Sequence, residues 1–330
     1  MIDIAPLIDA GASAAAIEGV THALDGACRD AGFFSIVGHG VDPALVESVD
    51  VLARAFFALD DAQKSTIEMA RAGRAWRGWF PLGGELTSGV PDAKEGIYFG
   101  AELGPDHPRV RAGVPLHGRN LFPDEPEALR GAVLAYLDAM TALGHVVLEG
   151  IALGLGLQRN WFADHLTADP TILFRIFRYP PATGSGWGVA EHTDYGLLTI
   201  LRQDTASGLE VHSTEGWVDV DPAPGAFVCN LGDMLDRMTS GAYRSTPHRV
   251  RNASATDRVS LAFFFDPAWD ADIRPIPAGD AAARADHARW DGADPSLFTG
   301  TYGDYLLAKV EKVFPALGGG LHEREGYRRP

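Results

Sequence analysis

Apolar positions recur at two different periods along this chain. Between about Pro126 and Leu157, Leu129, Val133, Tyr136, Leu137, Met140, Leu143, Val147 and Ile151 fall three or four residues apart, the spacing of one buried helix face. Ala14 through Cys28 to Ala31 reads as a second apolar helix, stopped by Gly32, and a third runs from about Pro43 to Leu59 with Pro43 in its first turn. Between these two, Gly32–Phe33–Phe34–Ser35–Ile36–Val37–Gly38–His39–Gly40 has the aromatic and β-branched residues of a strand, followed by the glycines of a turn. Ile2–Asp3–Ile4 alternates like a short strand. From about residue 171 the period shortens to two. Thr171–Tyr179, Leu197–Arg202, Leu209–His212, Ala226–Asn230, His248–Arg251 and Arg258–Phe265 are predicted strands separated by Gly, Pro, Asp and Ser turns. Many short strands without intervening helices indicate a sandwich or jelly roll rather than βαβ units. Residues 71–122, rich in Gly and Pro and carrying Trp76, Trp79, Phe80, Tyr98 and Phe99, read as a long loop whose aromatics pack over something. No repeat is visible, and the only biased stretch is Ala-rich, at 281–285.

Composition narrows the function. No stretch approaches 18 uninterrupted apolar residues, so no transmembrane helix is expected. Met1–Ile2–Asp3–Ile4–Ala5–Pro6 lacks the basic flank and apolar run of a signal peptide, so a cytoplasmic location is expected. The two cysteines, Cys28 and Cys229, cannot build a disulfide framework or a thiolate zinc site and are expected to be buried and reduced. A net charge of −16, from 28 basic and 44 acidic residues, argues against nucleic acid as a partner, since phosphate binding needs a basic face.

The chemistry concentrates in Glu191–His192–Thr193–Asp194–Tyr195–Gly196 and Thr246–Pro247–His248–Arg249–Val250. A bare His-x-Asp decides nothing in an Asp-rich chain. At a strand end, however, positions i and i+2 share a face, so His192 and Asp194 can reach one ion. With His248 they supply two imidazoles and one carboxylate, a set that leaves the opposite coordination positions open and marks non-haem Fe(II) centres. His248–Arg251 is predicted to form a hairpin with Arg258–Phe265, in which Arg258 and Ser260 share a face. Arg258 offers a planar fork to a carboxylate and Ser260 a further hydroxyl donor.

These segments, with Ala31–Gly32–Phe33–Phe34, Gly38–His39–Gly40–Val41, Phe56–Phe57–Ala58–Leu59, Tyr179–Pro180–Pro181, Asn230–Leu231–Gly232–Asp233 and Arg258–Val259–Ser260, resemble the 2-oxoglutarate-dependent Fe(II) dioxygenases of the isopenicillin N synthase-like family. Arg77–Gly78–Trp79 and Glu85–Leu86–Thr87–Ser88–Gly89 resemble its microbial members. The resemblance spans nearly the whole chain. It implies a mainly β protein with N-terminal helices (α+β), built on a double-stranded β-helix (jelly-roll) core. In that arrangement residues 1–120 are helices and loops contributing edge strands and pocket loops, and 121–170 a long support helix. Residues 171–270 are then the core binding Fe(II) and 2-oxoglutarate, and 271–330 an extension packing on it. It makes His192, Asp194 and His248 the iron ligands and Arg258 and Ser260 the partners of the distal 2-oxoglutarate carboxylate, with Tyr179 a third contact. Phe177 stands where many members carry Asn. Arg175, on the same strand face, reaches the cosubstrate or the substrate, or is a structural ion-pair partner.

The implied reaction consumes O2 and converts 2-oxoglutarate to succinate and CO2 while oxidising a carbon of a small molecule, hydroxylation being the default outcome. Trp79 and its aromatic neighbours either pack within their loop or wall the substrate pocket. Glu85 either meets a cationic substrate group or is solvated. Phe265 lines the pocket or the core. His39, His145 and Asp233 are expected to be structural. Two alternatives stay open: an iron oxidase of the same fold that does not use 2-oxoglutarate, and a metal-bearing binding protein without turnover. Substrate and oligomeric state are not legible.

Overall fold

The computed structural model describes residues 1–87, 89–181, 187–251, 254–277 and 299–314. The Ala-rich 281–285 segment and the Gly184–Ser185–Gly186 part of the glycine-rich turn before His192 lie outside the described residues.

The first third of the chain winds helices around two short strands. Strand β1 (Ile2–Asp3) leads through α1 (Ala5–Ile8) and α2 (Ala14–Asp30) to β2 (Phe33–Val37), then to α3 (Pro43–Phe57) and the single turn α4 (Asp61–Lys64). Helix α2 is capped by the Ser13 hydroxyl accepting from the Ala16 amide, and α3 by the Asp42 carboxylate accepting from Ala44. The segment predicted as a long loop is more ordered than its Gly and Pro content suggested. It contains β3 (Gly78–Phe80), β4 (Leu86–Thr87), β5 (Val90–Pro91), β6 (Glu95–Gly100) and the turn α5 (Pro108–Arg111). Strands β3 and β6 extend the main sheet at its edge, so long-range pairing with the next strand overrides local breakers here.

Helix α6 (Leu129–Gly154) is apolar and long enough to cross a membrane by length and composition. Here it is a core element, packed against α2, α3 and the outer face of the main sheet. Gly144 makes that contact possible, because a Cβ there would lie 2.6 Å from the ring of Phe265.

After the turn α7 (Trp161–His165) the chain builds the β core: β7 (Pro170–Tyr179), β8 (Val189–His192), β9 (Leu198–Arg202), β10 (Leu209–Ser213), β11 (Gly216–Asp219), β12 (Phe227–Leu231), the short helix α8 (Asp233–Met238), β13 (His248–Val250) and β14 (Arg258–Ala268). Eight strands form the main sheet in the order β1-β2-β12-β9-β14-β7-β6-β3, and four form a facing sheet in the order β11-β10-β13-β8. This is a jelly roll with helices on one face, a mixed α+β protein. The predicted hairpin between His248–Arg251 and Arg258–Phe265 does not form. Strand β13 pairs with β10 and β8, whereas β14 pairs with β7 and β9 in the other sheet. Adjacency in sequence suggested a hairpin, but in a jelly roll the chain between those strands crosses from one sheet to the other. The last described element, α9 (Tyr302–Val313), returns to pack on β14.

Alternation along the two longest strands sorts residues between core and cavity. On β14, Val259, Leu261, Phe263 and Phe265 are buried in the core, while Arg258, Ser260, Ala262, Phe264 and Asp266 line a cavity of about 590 Å³ between the sheets. On β7, Phe174 packs on Tyr136 of α6, while Leu173, Arg175, Phe177 and Tyr179 line the cavity. The register places Arg258 opposite Tyr179 and Ser260 opposite Phe177.

Candidate active site

The two histidines meet because β8 and β13 are antiparallel neighbours with His192 and His248 in register. Asp194 follows β8 in a loop held by the start of α8: Asp233 N–H donates to the Asp194 carbonyl (2.8 Å), Met234 N–H to that of Gly196 (3.1 Å) and Gly232 N–H to that of Leu197 (3.1 Å). The loop presses against Asp266 so closely that a Cβ on Gly196 would fall 1.5 Å from its carboxylate, which requires glycine there.

Hydrogen bonding then orients all three side chains. His192 Nδ1 lies 2.8 Å from the Ala190 carbonyl and His248 Nδ1 3.2 Å from that of Thr246. A carbonyl can only accept, so each ring carries its proton on Nδ1 and presents a bare Nε2. Asp194 Oδ2 accepts from the Thr199 hydroxyl (2.5 Å) and the Asn230 amide (2.7 Å), leaving Oδ1 toward the rings. Oδ1 lies 3.9 Å from His192 Nε2 and 3.7 Å from His248 Nε2. Two bonds of about 2.1 Å to one ion span such gaps, and the three residues form a metal-capable group within 4.8 Å. Burial and the neighbouring His248 push the His192 imidazole down to about 4, so it is neutral and ligand-ready at neutral pH. Burial would raise Asp194, but the two imidazoles and the donors Asn230 and Thr199 outweigh it, and its carboxyl is held below the usual range.

Across the cavity, Arg258 is 1% exposed, yet among the described residues neither Nη1 nor Nη2 has a hydrogen-bond partner; Nε donates to the Ala206 carbonyl at 3.3 Å. Ser260 is buried beside it, and the Tyr179 ring lies 5.1 Å from its guanidinium carbon. A buried guanidinium with two terminal nitrogens unpartnered among the described residues, beside a hydroxyl, has the donor geometry that suits a carboxylate.

Two family models match the chain. One, the N-terminal region of a non-haem dioxygenase in morphine synthesis, matches residues 1–125, and the other, the 2OG-Fe(II) oxygenase superfamily, matches residues 170–267. A probable iron/ascorbate oxidoreductase of Dictyostelium discoideum is 46% identical over 325 residues, covering 90% of both chains. This protein belongs to the 2OG-Fe(II) oxygenase superfamily. A homoarginine-6-hydroxylase of Arabidopsis thaliana is 34% identical over 303 residues, covering 89% of this chain and 90% of the relative. Among solved structures, a putative 2OG-Fe(II) oxygenase of Caulobacter crescentus superposes with a TM-score of 0.75 at 28% identity, covering 91% and 95% of the two chains. A full-length Neurospora crassa protein solved with 2-oxoglutarate and thymine reaches 0.77 at 24% identity over 94% and 95%, a likeness of fold. The chain is thus a 2-oxoglutarate- and Fe(II)-dependent oxidoreductase, and its family acts on small molecules.

The oxygenase places the remaining candidates unevenly. Arg175, Phe177 and Glu85 line the cavity, but Glu85 is not solvated: it is 4% exposed, lies 2.8 Å from Lys94 Nζ and accepts from the Tyr98 hydroxyl. Trp79 does not wall the pocket. It is buried at the sheet edge, donating from Nε1 to Glu95 Oε2 (2.8 Å) with Lys64 over its ring. Phe265 also faces away, against α6 and His145; parity puts its neighbour Phe264 in the cavity instead. His39 is tied to the Gly225 carbonyl (3.0 Å), and the Asp233 side chain accepts from Ser245 (2.9 Å) and Tyr305 (2.8 Å) while its N–H braces Asp194. Cys28 and Cys229 are buried and unbonded to each other. Sequence reasoning missed Thr199, Asn230, Lys94, Asp266 and the α9 residues Leu306, Lys309 and Lys312, which all line the cavity. Asp266, like Phe264, carried a usable signal, because both continue the i, i+2 series begun at Arg258, and Asn230 stood in a segment already matched to the family.

Proposed function

We propose that His192 Nε2, Asp194 Oδ1 and His248 Nε2 hold the ferrous ion, that Arg258, Ser260 and Tyr179 receive the distal carboxylate of 2-oxoglutarate, and that the oxygenase hydroxylates a carbon of a small molecule. The observation that carries this reading is the pair of terminal nitrogens on the buried Arg258 that have no partner among the described residues, an arrangement whose desolvation cost a bound carboxylate would offset. Bound iron supplies the activation of O2 and the oxidation of substrate at the expense of 2-oxoglutarate decarboxylation.

The chain's own residues position and shield. The Ala190 and Thr246 carbonyls fix both rings, while Thr199 and Asn230 confine Asp194 to one oxygen for the metal. Phe177, Phe264, Leu201 and Leu209 wall the cavity with apolar surface that displaces water from the reacting carbon. The acidic net charge supports a partner set without nucleic acid, and the burial of α6 in the core supports one without a membrane, in keeping with a cytoplasmic enzyme. The test is succinate formation by purified protein. It should require both Fe(II) and 2-oxoglutarate; oxygen uptake that proceeds at full rate without 2-oxoglutarate would favour the oxidase alternative and remove the assigned role of Arg258.

A further inference from the structure

Arg175 is the second large cation in the cavity wall. It stands four residues from Tyr179 on the same face of β7, about 13 Å along the strand from the Arg258 end. Its guanidinium carbon lies 4.4 Å from the centre of the Tyr98 ring and 4.8 Å from that of Phe264, so the plane is held by aromatic contact. Its side chain is 15% exposed, and among the described residues it donates no hydrogen bond. The nearest carboxylate, Glu85, is 3.8 Å from Nη1, beyond hydrogen-bond range, and is already engaged by Lys94 and Tyr98. Asp266 is also committed, to the Tyr302 hydroxyl (2.5 Å) and the Leu197 amide (3.2 Å). A guanidinium fixed in place with no hydrogen bond among the described residues, and with Glu85 at 3.8 Å as its ion-pair neighbour, is pre-organised for a planar anion. On α9, Lys309 and Lys312 line the same cavity three residues apart; Lys309 lies 3.7 Å from Asp233, and the exposed Lys312 adds positive potential at the cavity wall.

We propose that the substrate is an organic acid whose carboxylate docks on Arg175, with Lys312 drawing it in and its apolar body lying on Phe177, Phe264 and Leu306. This deepens the proposed function and rests on it: the Arg258 end is reserved for 2-oxoglutarate, so Arg175 serves the second reactant. The same geometry argues against a cationic group on Glu85, whose oxygens already face Lys94 and Tyr98.

The experiment uses the full chain loaded anaerobically with Fe(II), with and without 2-oxoglutarate. Calorimetry compares 3-phenylpropionate, hexanoate and L-norleucine, each against its own primary amide. At least one acid should bind the wild type tenfold or more tightly than its amide. Arg175→Gln should erase that preference while leaving 2-oxoglutarate affinity within about twofold. Arg175→Lys keeps a charge in the same niche and guards against misfolding; it should lose most of the preference because an ammonium cannot make the two-pronged contact. No acid preferred over its amide, or a preference that survives in both variants, overturns the proposal. So does an Arg175→Gln variant that loses 2-oxoglutarate as severely as Arg258→Gln, which would assign the group to the cosubstrate. Wild type that fails to bind 2-oxoglutarate would instead strike the cosubstrate reading, and the titrations without 2-oxoglutarate keep the two failures distinguishable.

Discussion

Replacing Arg258 by Met separates the price of an empty carboxylate clamp from its benefit. Wild-type Arg258 is 1% exposed, and among the described residues it makes one long hydrogen bond, Nε to the Ala206 carbonyl at 3.3 Å. Uncompensated burial of such a charge costs several kcal/mol, whereas the single hydrogen bond and the Tyr179 contact return about 1 kcal/mol each. A side chain of similar length without charge should therefore raise the stability of metal-free, cosubstrate-free protein by roughly 1–3 kcal/mol. With Arg258 in its proposed role, the same change would remove two charge-assisted hydrogen bonds to 2-oxoglutarate, each about 1.5–3 kcal/mol, so affinity should fall by roughly 10²–10⁴-fold. The assay pairs equilibrium denaturation of the apo protein with anaerobic 2-oxoglutarate titration of the Fe(II) form. Ligand stabilisation should be marked in the wild type and absent in the variant. An Arg258→Met protein that is less stable than wild type by over about 1 kcal/mol and still binds 2-oxoglutarate within tenfold would refute the reasoning, because the guanidinium would then be satisfied by the protein itself.

Thr199→Val or Asn230→Leu frees Asp194 Oδ2 and should weaken iron binding by about 10–100-fold in an anaerobic metal titration, with the fold retained. Phe265→Ala should cost about 3–5 kcal/mol in denaturant unfolding, while Phe264→Ala, on the cavity side, should chiefly raise KM for substrate; equal stability losses would contradict the assigned strand parity. Burial pushes Asp266 up to about 7, so the folded state holds its proton through a range where the unfolded chain has released it. Stability from this residue is then lost as pH rises from about 4 to 7. Asp266→Asn should gain on wild type by up to about 3 kcal/mol between pH 5 and pH 8, whereas parallel stability–pH curves would show the carboxyl unperturbed.

Local patterning made α2, α3 and α6 legible to within a few residues, because their apolar periodicity is set by neighbours one turn away. The same holds for β7, β9, β10, β12 and β14, whose alternation and β-branched content survive in sequence. The end of β8 at His192 was legible but its start was not, β11 was not legible, and β3 and β6 were hidden in a Gly- and Pro-rich stretch, since what stabilises them is the partner strand. Trp79 and Phe265 were misplaced for related reasons. Trp79 lies on an edge strand whose existence depends on β6, and Phe265 differs from Phe264 only by a parity that needs the strand's register.

The chain's residues alone determined the kind of chemistry. Two histidines, an aspartate and an Arg-x-Ser carry donor types and i, i+2 spacings that hold wherever those segments end up. Only the tertiary structure decided which atoms face which. The register of His192 against His248, the capture of one Asp194 oxygen by Thr199 and Asn230, the pairing of Glu85 with Lys94, and the donors of Arg175 and Arg258 left unfilled among the described residues all depend on segments that only the folded chain brings together. Sequence spacing encodes neighbours along one strand. It does not encode which strand lies across the cavity, because that is set by packing the whole chain around one core.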